Sequence, residues 1–485
     1  MIAKETEKFV KLKNPYTFGI PVRGEGKFFG REKELQLIFD TLNNVPRGQK
    51  QDMVVLGPRR IGKSSLLYRL NDLLVEQNQD FVPVYVDVQN IKPRKTHILF
   101  LKILREINKQ YKQKNLVEEA FHFDTLGSNN IPADLEFFTF DEDLGRLNKL
   151  IANRGLPRLV LIFDEVELLV DFGGRDILDW FRSLIQSMSY CTFVVAGSKQ
   201  LYALTQDYGS PFYNIFKIIE IFPLSSDAAK NLVEIPAKGI GLDISAQDVA
   251  KILDASGNSP YFIQGIAHYL VERLNEQQRT RVYQSDVDAV IKACAIQYLS
   301  SQFSYFWGGT SSSQKVILYQ LAQVGEPKKI NELVETPLLG QLKPFMTRNQ
   351  EWQDAFDDLV LQQILQVGNE DNYWFMVPMF ALWIQLNINR QDIQQIITVQ
   401  EPLQTHIYDT AAIRQLLTDA FDDEELTSLA FDYFRPVYEQ FTSGMTKSLK
   451  IQLLLDYTFR HSQTEKLLEI IRQLRPYRYE SFFTQ

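Results

Sequence analysis

The first 223 residues predict an α/β domain, a parallel sheet with helices on both faces; the remainder predicts helices around one hairpin. Three observations carry this. Short, wholly apolar runs alternate with segments of helical periodicity as far as Pro223, the pattern of strands joined by crossover helices. Beyond Pro223 helical periodicity dominates. Hydrophobic residues make up 45% and charged residues 23%, which excludes a disordered or fibrous chain and leaves a globular one.

Met53-Val-Val-Leu56 reads as the first buried strand, and Leu66, Leu67, Leu70, Leu73 and Leu74 recur behind it at helical spacing. Phe81 to Val88 is a second strand. A polar stretch from Leu126 to Asp134 reads as loop, before a helical pattern that ends near Gly155. Leu159 to Phe163 is a buried strand closed by Asp164 and Glu165, and Thr192 to Ala196 is another, ending at Gly197-Ser198.

Residues 224–300 predict a helical lid containing Gly257-Asn-Ser-Pro260. In 301–388 a helix from Ser313 to Val324 and a hairpin from Gln363 to Met376 suggest a winged helix. The polar stretch from Asn389 to Gln404 predicts a linker, assigned as 389–408. Residues 409–485 predict a helical bundle. One stripe is Ile413, Leu416, Leu417 and Phe421; others are Leu426, Leu429 and Tyr433, then Leu449, Leu453 and Leu454, and finally Leu467, Leu468, Ile471 and Leu474.

Lys plus Arg total 52 against 60 for Asp plus Glu, a formal charge of −8, which excludes a basic nucleic-acid coat and leaves room only for a local basic patch. Two cysteines, Cys191 and Cys294, are too few for a disulfide framework and fit a reducing cytosol. The N-terminal residues lack the apolar core of a signal peptide, and no apolar run is long enough to span a membrane. The expectation is a cytoplasmic protein without membrane contact.

Gly57-Pro58-Arg59-Arg60-Ile61-Gly62-Lys63-Ser64-Ser65 has the glycine, lysine and serine spacing of a phosphate-binding P-loop, with a strand before it and a helix after. Glycines let backbone N–H groups close around phosphates at a helix N-terminus. Lys63 would reach the β- and γ-phosphates, and the Ser64 hydroxyl would ligate Mg²⁺. Such a loop needs a second carboxylate for the metal. Asp164 stands where that residue belongs, and Glu165 beside it is placed to deprotonate the attacking water. Ser198, closing the next strand, is placed to sense the γ-phosphate. Glu167 reads as a solvated neighbour.

With Phe28-Phe-Gly30-Arg31-Glu32 ahead of the P-loop, Phe163-Asp-Glu165, Ala196-Gly-Ser198 and Gly257-Asn-Ser-Pro260, the chain resembles the STAND and archaeal-type branch of P-loop ATPases, relatives of AAA+ proteins. The resemblance spans Lys27 to Leu386. It implies that Gly30 and Arg31 lie near bound ATP or ADP, that Pro260 packs by the adenine, and that ATP opens a closed ADP form so that protomers self-associate. Two departures are visible: Pro211-Phe-Tyr-Asn214 lacks the arginine that relatives carry there, with Arg182 a candidate substitute, and no histidine lies in the winged-helix region. Together they imply slow hydrolysis, or a nucleotide-gated switch, rather than rapid turnover.

The tail, with Ala420 to Phe431 and Leu467 to Pro476, resembles a bacterial effector-associated, death-like domain. That implies recruitment of a partner with a similar domain, of protease-like or TIR type. The combined expectation is an ATP-driven, oligomerising signalling switch in bacterial antiviral or conflict signalling. The alternative is a DNA-associated ATPase of the origin-recognition or transposition type, which the acidic stretch from Asn349 to Asp358 disfavours.

Overall fold

The computed structural model describes residues 9–127, 132, 135–198, 201, 204–205, 210–340, 349–368, 371–399, 410–441, 445–460, 464–475 and 478–479. The chain divides into two compact units, Met1–Thr398 and Val399–Gln485.

The first unit contains a five-stranded sheet of β1 (Met53–Leu56), β2 (Phe81–Asp87), β3 (Arg158–Asp164), β4 (Cys191–Gly197) and β5 (Lys217–Glu220). The order is β2-β3-β4-β1-β5 and every pair is parallel. Both faces are buried, so the strands read as unbroken apolar runs. Met53 and Val55 face a core shared with α1 (Glu32–Asn44) and α2 (Lys63–Glu76). Val54 and Leu56 face the other core, shared with α3 (Thr96–Gln113), α4 (Glu136–Arg154) and α5 (Val170–Ser187).

The sequence pattern ends the sheet at β4, whereas the structure adds β5. This edge strand has only four residues, is charged at both ends and exposes Ile218, so it lacks the apolar run that marks its neighbours. The order has one consequence for chemistry. β4 lies between β1 and β3, so the loop after β1, Ser198 after β4 and Asp164 at the end of β3 share the carboxyl edge of the sheet, where open α/β sheets bind ligands.

Four helices follow: α6 (Ser226–Gly239), α7 (Ala246–Ser256), α8 (Pro260–Glu276) and α9 (Gln284–Ala293). The Ser225 hydroxyl caps α6 by accepting from the Ala228 N–H, and Ser245 caps α7 through Asp248. Proline at the first position of α8 has no N–H to leave unsatisfied. Next come α10 (Ser312–Val324), α11 (Asn349–Leu361), the antiparallel hairpin of β6 (Leu365–Val367) and β7 (Tyr373–Phe375), and α12 (Pro378–Asn387). Hairpin residues 369 and 370, in the turn expected there, lie outside the described residues, as does most of the loop expected at 126–134.

One hydrophobic cluster runs from Leu12 through α6 to α12 and on to Ile397, so the lid helices and the hairpin segment share a core. The 389–404 stretch is helical over Arg390–Val399, not a linker throughout. Ile393 and Ile397, four residues apart on one face, are buried in that core while the polar residues between them face outward; a polar average conceals so narrow a stripe. Residues 400–404 lie outside the described set.

The second unit contains helices Thr410–Ala420, Asp423–Tyr433, Lys447–Arg460 and Thr464–Leu474 around a core of Ile413, Leu417, Leu426, Leu454, Leu467 and Ile471. Asp422 and Glu425 form a reciprocal capping box on the second helix. Three expected core positions lie outside: Tyr433 is 42%, Leu449 44% and Leu474 40% exposed. The third helix instead buries Ile451, Leu454, Leu455 and Thr458, and buries the Lys450 stem with its ammonium donating to Asp423 (2.8 Å) and Thr427 (3.0 Å).

Candidate functional site: a phosphate loop at the carboxyl edge of the sheet

The loop leaving β1 is held tightly from below. A Cβ on Gly57 would stand 3.0 Å from the Ile221 carbonyl oxygen and 3.1 Å from Ile61, whose own side chain is buried in the core. Arg60 (φ 68°) and Gly62 (φ 107°) take the left-handed turns that carry the chain into α2. Lys63 opens that helix, buried, with Nζ donating to the carbonyls of Gly57 (2.9 Å) and Pro58 (3.0 Å). Burial lowers the Lys63 pKa, opposed by the charges of Glu165, Glu167 and Asp164.

Asp164 is the focus of the cluster. Its carboxylate is hydrogen-bonded to Ser64 and accepts from the Tyr85 hydroxyl at 2.9 Å. Burial raises its pKa, while the Ser64 and Tyr85 bonds oppose that shift. Glu165 has φ 55°, a left-handed turn that ends β3 and starts a 3₁₀ turn at Val166. Its carboxyl caps no helix and lines the main cavity of the site. Burial raises the Glu165 pKa, and the neighbouring Glu167 charge raises it further.

Glu167 is not solvated. The 3₁₀ turn rotates it inward to 5% exposure, where Oε1 accepts from the Ser198 N–H (2.8 Å) and Ser198 hydroxyl (2.6 Å). A Cβ on Gly197 would fall 2.2 Å from Glu167 Oε2 and 2.7 Å from the Leu201 Cβ, so a side chain there would displace both neighbours. Oε2 is buried without a hydrogen-bond partner among the described residues. Sequence reasoning missed both Glu167 and Tyr85. The local signal for Glu167 was its place three residues after Asp164; for Tyr85 there was none, since it reaches Asp164 only through the β2–β3 pairing.

A cavity of about 520 Å³ opens over this floor, within the roughly 300–1,000 Å³ range of small-ligand sites. Arg59, Arg60, Gly62, Lys63, Ser64, Ser65 and Glu165 line one side, and Pro260 and Tyr261 the other. Arg60 hydrogen-bonds the Tyr261 hydroxyl and lies 4.3 Å over its ring, and Arg59 lies 5.4 Å over Tyr305. An N-terminal arm that no motif announced completes the wall: Thr17 to Val22 face the cavity, with the Val22 N–H donating to Ser65 Oγ (3.0 Å).

Gly30 and Arg31 stand apart from that cavity lining. Arg31 (φ 73°) is buried with its guanidinium on the Ile61 carbonyl (3.1 Å) and Glu34 (3.0 Å), so it buttresses the loop from behind. Burial lowers its pKa. Gly30 lies against α6, where a Cβ would be 2.8 Å from that of Ala228. Gly57, Pro58 and Ser198 line a second cavity of about 260 Å³, whose other wall is Gln362 and Gln363 at the end of α11. Asn214 is exposed in a left-handed turn (φ 54°), and Arg182 is engaged with the Pro211 carbonyl at 2.7 Å.

Sheet order, loop and carboxylate together define a P-loop ATPase fold. Residues 28–266 match the family described as an ATPase domain predominantly from Archaea, and residues 413–476 match effector-associated domain 7. The chain thus joins an archaeal-type P-loop ATPase domain to a C-terminal effector-associated domain. It is 27% identical over 238 residues to an uncharacterized HTH-type transcriptional regulator of Methanocaldococcus jannaschii, covering 46% of this chain and 57% of that protein. The match thus spans little more than half the length of that relative. The Walker-type ATPase of Pyrococcus abyssi superposes with a TM-score of 0.53 at 17% identity, over 76% of this chain and 99% of the other. The Aeropyrum pernix ORC1 protein in complex with DNA reaches a TM-score of 0.39 at 13% identity, over 77% and 93%.

Proposed function

We propose that the chain is an ATP-binding, slowly hydrolysing signalling switch. Its nucleotide state controls self-association, and its C-terminal domain then recruits an effector in bacterial antiviral or conflict signalling. The single observation that carries this is the corner Gly257–Pro260. One end of it lines the nucleotide cavity through Pro260, and the other presses Gly257 against the Met376 carbonyl of the hairpin segment, which we read as a winged helix. A change at the cavity therefore has a rigid route to the hairpin. Gln362 and Gln363, across the second cavity from Ser198, provide another.

The residues fit Mg²⁺·ATP: loop N–H groups and Lys63 for phosphate, and the paired Ser64 and Asp164 oxygens for a hard divalent cation. When bound, the metal neutralises phosphate charge. Lys63, already desolvated, adds a fixed positive charge. Glu165, with its raised pKa, takes the proton of the attacking water. Glu167 is a positioning residue that holds the Ser198 hydroxyl. Slow turnover follows from Asn214, which supplies no cation, and from Arg182, which is already held by Pro211.

Hydrolysis against pH tests these roles. The acidic limb should lie above the ordinary glutamate pKa of about 4.3, because burial and the Glu167 charge both raise Glu165. In Glu167→Gln one like charge is gone, so the limb should move to lower pH. Glu165→Gln should retain ATP binding and lose turnover. Wild-type turnover in Glu165→Gln, or an unmoved limb in Glu167→Gln, contradicts the assignment.

A further inference from the structure

A cleft of about 1,300 Å³ in the first unit lies away from the phosphate loop, between the N-terminal arm and the lid. Among the described residues its lining includes Lys11, Lys13, Lys27, Arg279 and Arg281 and no carboxylate, in a chain whose acids outnumber its bases 60 to 52. The three lysines make no ion pair among the described residues, and Arg281 reaches only an exposed Asp243 at 3.8 Å. Arg279 is committed to Asp286 at 2.6 Å. Tyr283, 52% exposed, presents its ring in the same cleft, with the guanidinium groups of Arg279 and Arg281 at 4.7 and 5.9 Å.

We propose that this cleft is a second ligand site, and that it takes a single strand of nucleic acid. Unpaired cations in a groove match the regular charge of a phosphodiester backbone. A half-exposed aromatic ring held by arginines offers a stacking face, which an unpaired base can use and a base within a duplex cannot. An acidic peptide would find the charges but leave the ring without a partner.

The cleft is also mechanically joined to the nucleotide cavity. Its arm wall, residues 9–15, continues directly into Thr17–Val22, which line the cavity. The arm is pinned between them. Leu12 exchanges two hydrogen bonds with the Asn275 side chain (2.8 and 3.0 Å), Asn14 donates to Glu272 (2.8 Å), and Tyr16 donates to the Val233 carbonyl (2.5 Å). A strand that pulls on Lys11 and Lys13 thus displaces the segment facing the nucleotide. This coupling rests on the nucleotide reading above; strand binding itself does not.

The test is fluorescence anisotropy of labelled DNA and RNA single strands of about 12 nucleotides with the full chain. Affinity should fall roughly 20- to 130-fold between about 50 and 200 mM salt if about three to five phosphates are contacted. The Lys11→Glu/Lys13→Glu/Lys27→Glu variant, altered only at exposed positions, should weaken binding at least about tenfold, and Tyr283→Ala should weaken strand binding but not that of inorganic tripolyphosphate. Lys63→Ala should bind the strand normally. Unchanged affinity in the triple variant, preference for duplex, or tighter binding of poly-glutamate overturns the site. Saturating strand should also change the release rate of a fluorescent ADP; an unchanged rate overturns the coupling. A chain that never binds the fluorescent ADP overturns the nucleotide reading, and the anisotropy still decides the cleft.

Discussion

Lys63→Ala should reduce ATP hydrolysis by on the order of 10²- to 10³-fold, the usual loss when one preorganised donor to developing charge is removed. The loop itself should survive. Its shape is set by Gly57 against Ile221, by Ile61 in the core and by Arg31 on the Ile61 carbonyl, none of which involves the ammonium. Removing the buried ammonium relieves its desolvation, which already lowers the Lys63 pKa, but leaves the Gly57 and Pro58 carbonyls without that donor; the two effects oppose, so folding stability should change far less than activity. Single-turnover hydrolysis and thermal unfolding on the same sample separate the two effects. Lost activity together with a large fall in unfolding temperature would mean that Lys63 is chiefly structural.

Gly257→Ala should be the most damaging single methyl group at the lid. The residue has φ 56°, and an added Cβ would lie 1.8 Å from the Met376 carbonyl oxygen and 2.9 Å from its carbon. Left-handed backbone costs a non-glycine residue about 1–2 kcal/mol, and the collision with main chain adds to it. A total loss of about 3 kcal/mol or more is expected, at the upper end for point substitutions. The hairpin should then detach from the corner that ends at Pro260. Hydrogen exchange should accelerate in β6 and β7 while β1, β3 and β4 remain protected. Equal protection everywhere would show that the corner is not the joint between cavity and hairpin.

The parts of this site legible in the sequence are those made by neighbouring residues. Gly57 to Ser65 forms a turn between one strand and one helix, and Asp164 closes an apolar run, so spacing alone exposes both. Tyr85 escapes because it meets Asp164 across a strand pairing 79 residues apart in sequence. Glu167 escapes because its burial depends on the left-handed turn at Glu165, which composition does not announce. The arm from Leu12 to Val22 escapes for a third reason. Its anchors, Asn275 and Val233, lie more than two hundred residues away, and its own sequence has no periodicity. Similar physics governs the misread stripes in the second unit. Leu449 and Lys450 are adjacent on one helix, and the choice of which faces inward was settled by Asp423 and Thr427 receiving the ammonium.

The claim at the centre of this account is that nucleotide state changes assembly, and molar mass by light scattering tests it most directly. The full chain is measured with ADP, with ATP and with a non-hydrolysable ATP analogue, beside Lys63→Ala and Glu165→Gln. A defined oligomer should form with the triphosphates only, vanish in Lys63→Ala and persist with ATP in Glu165→Gln. The same mass in every nucleotide condition would contradict the switch.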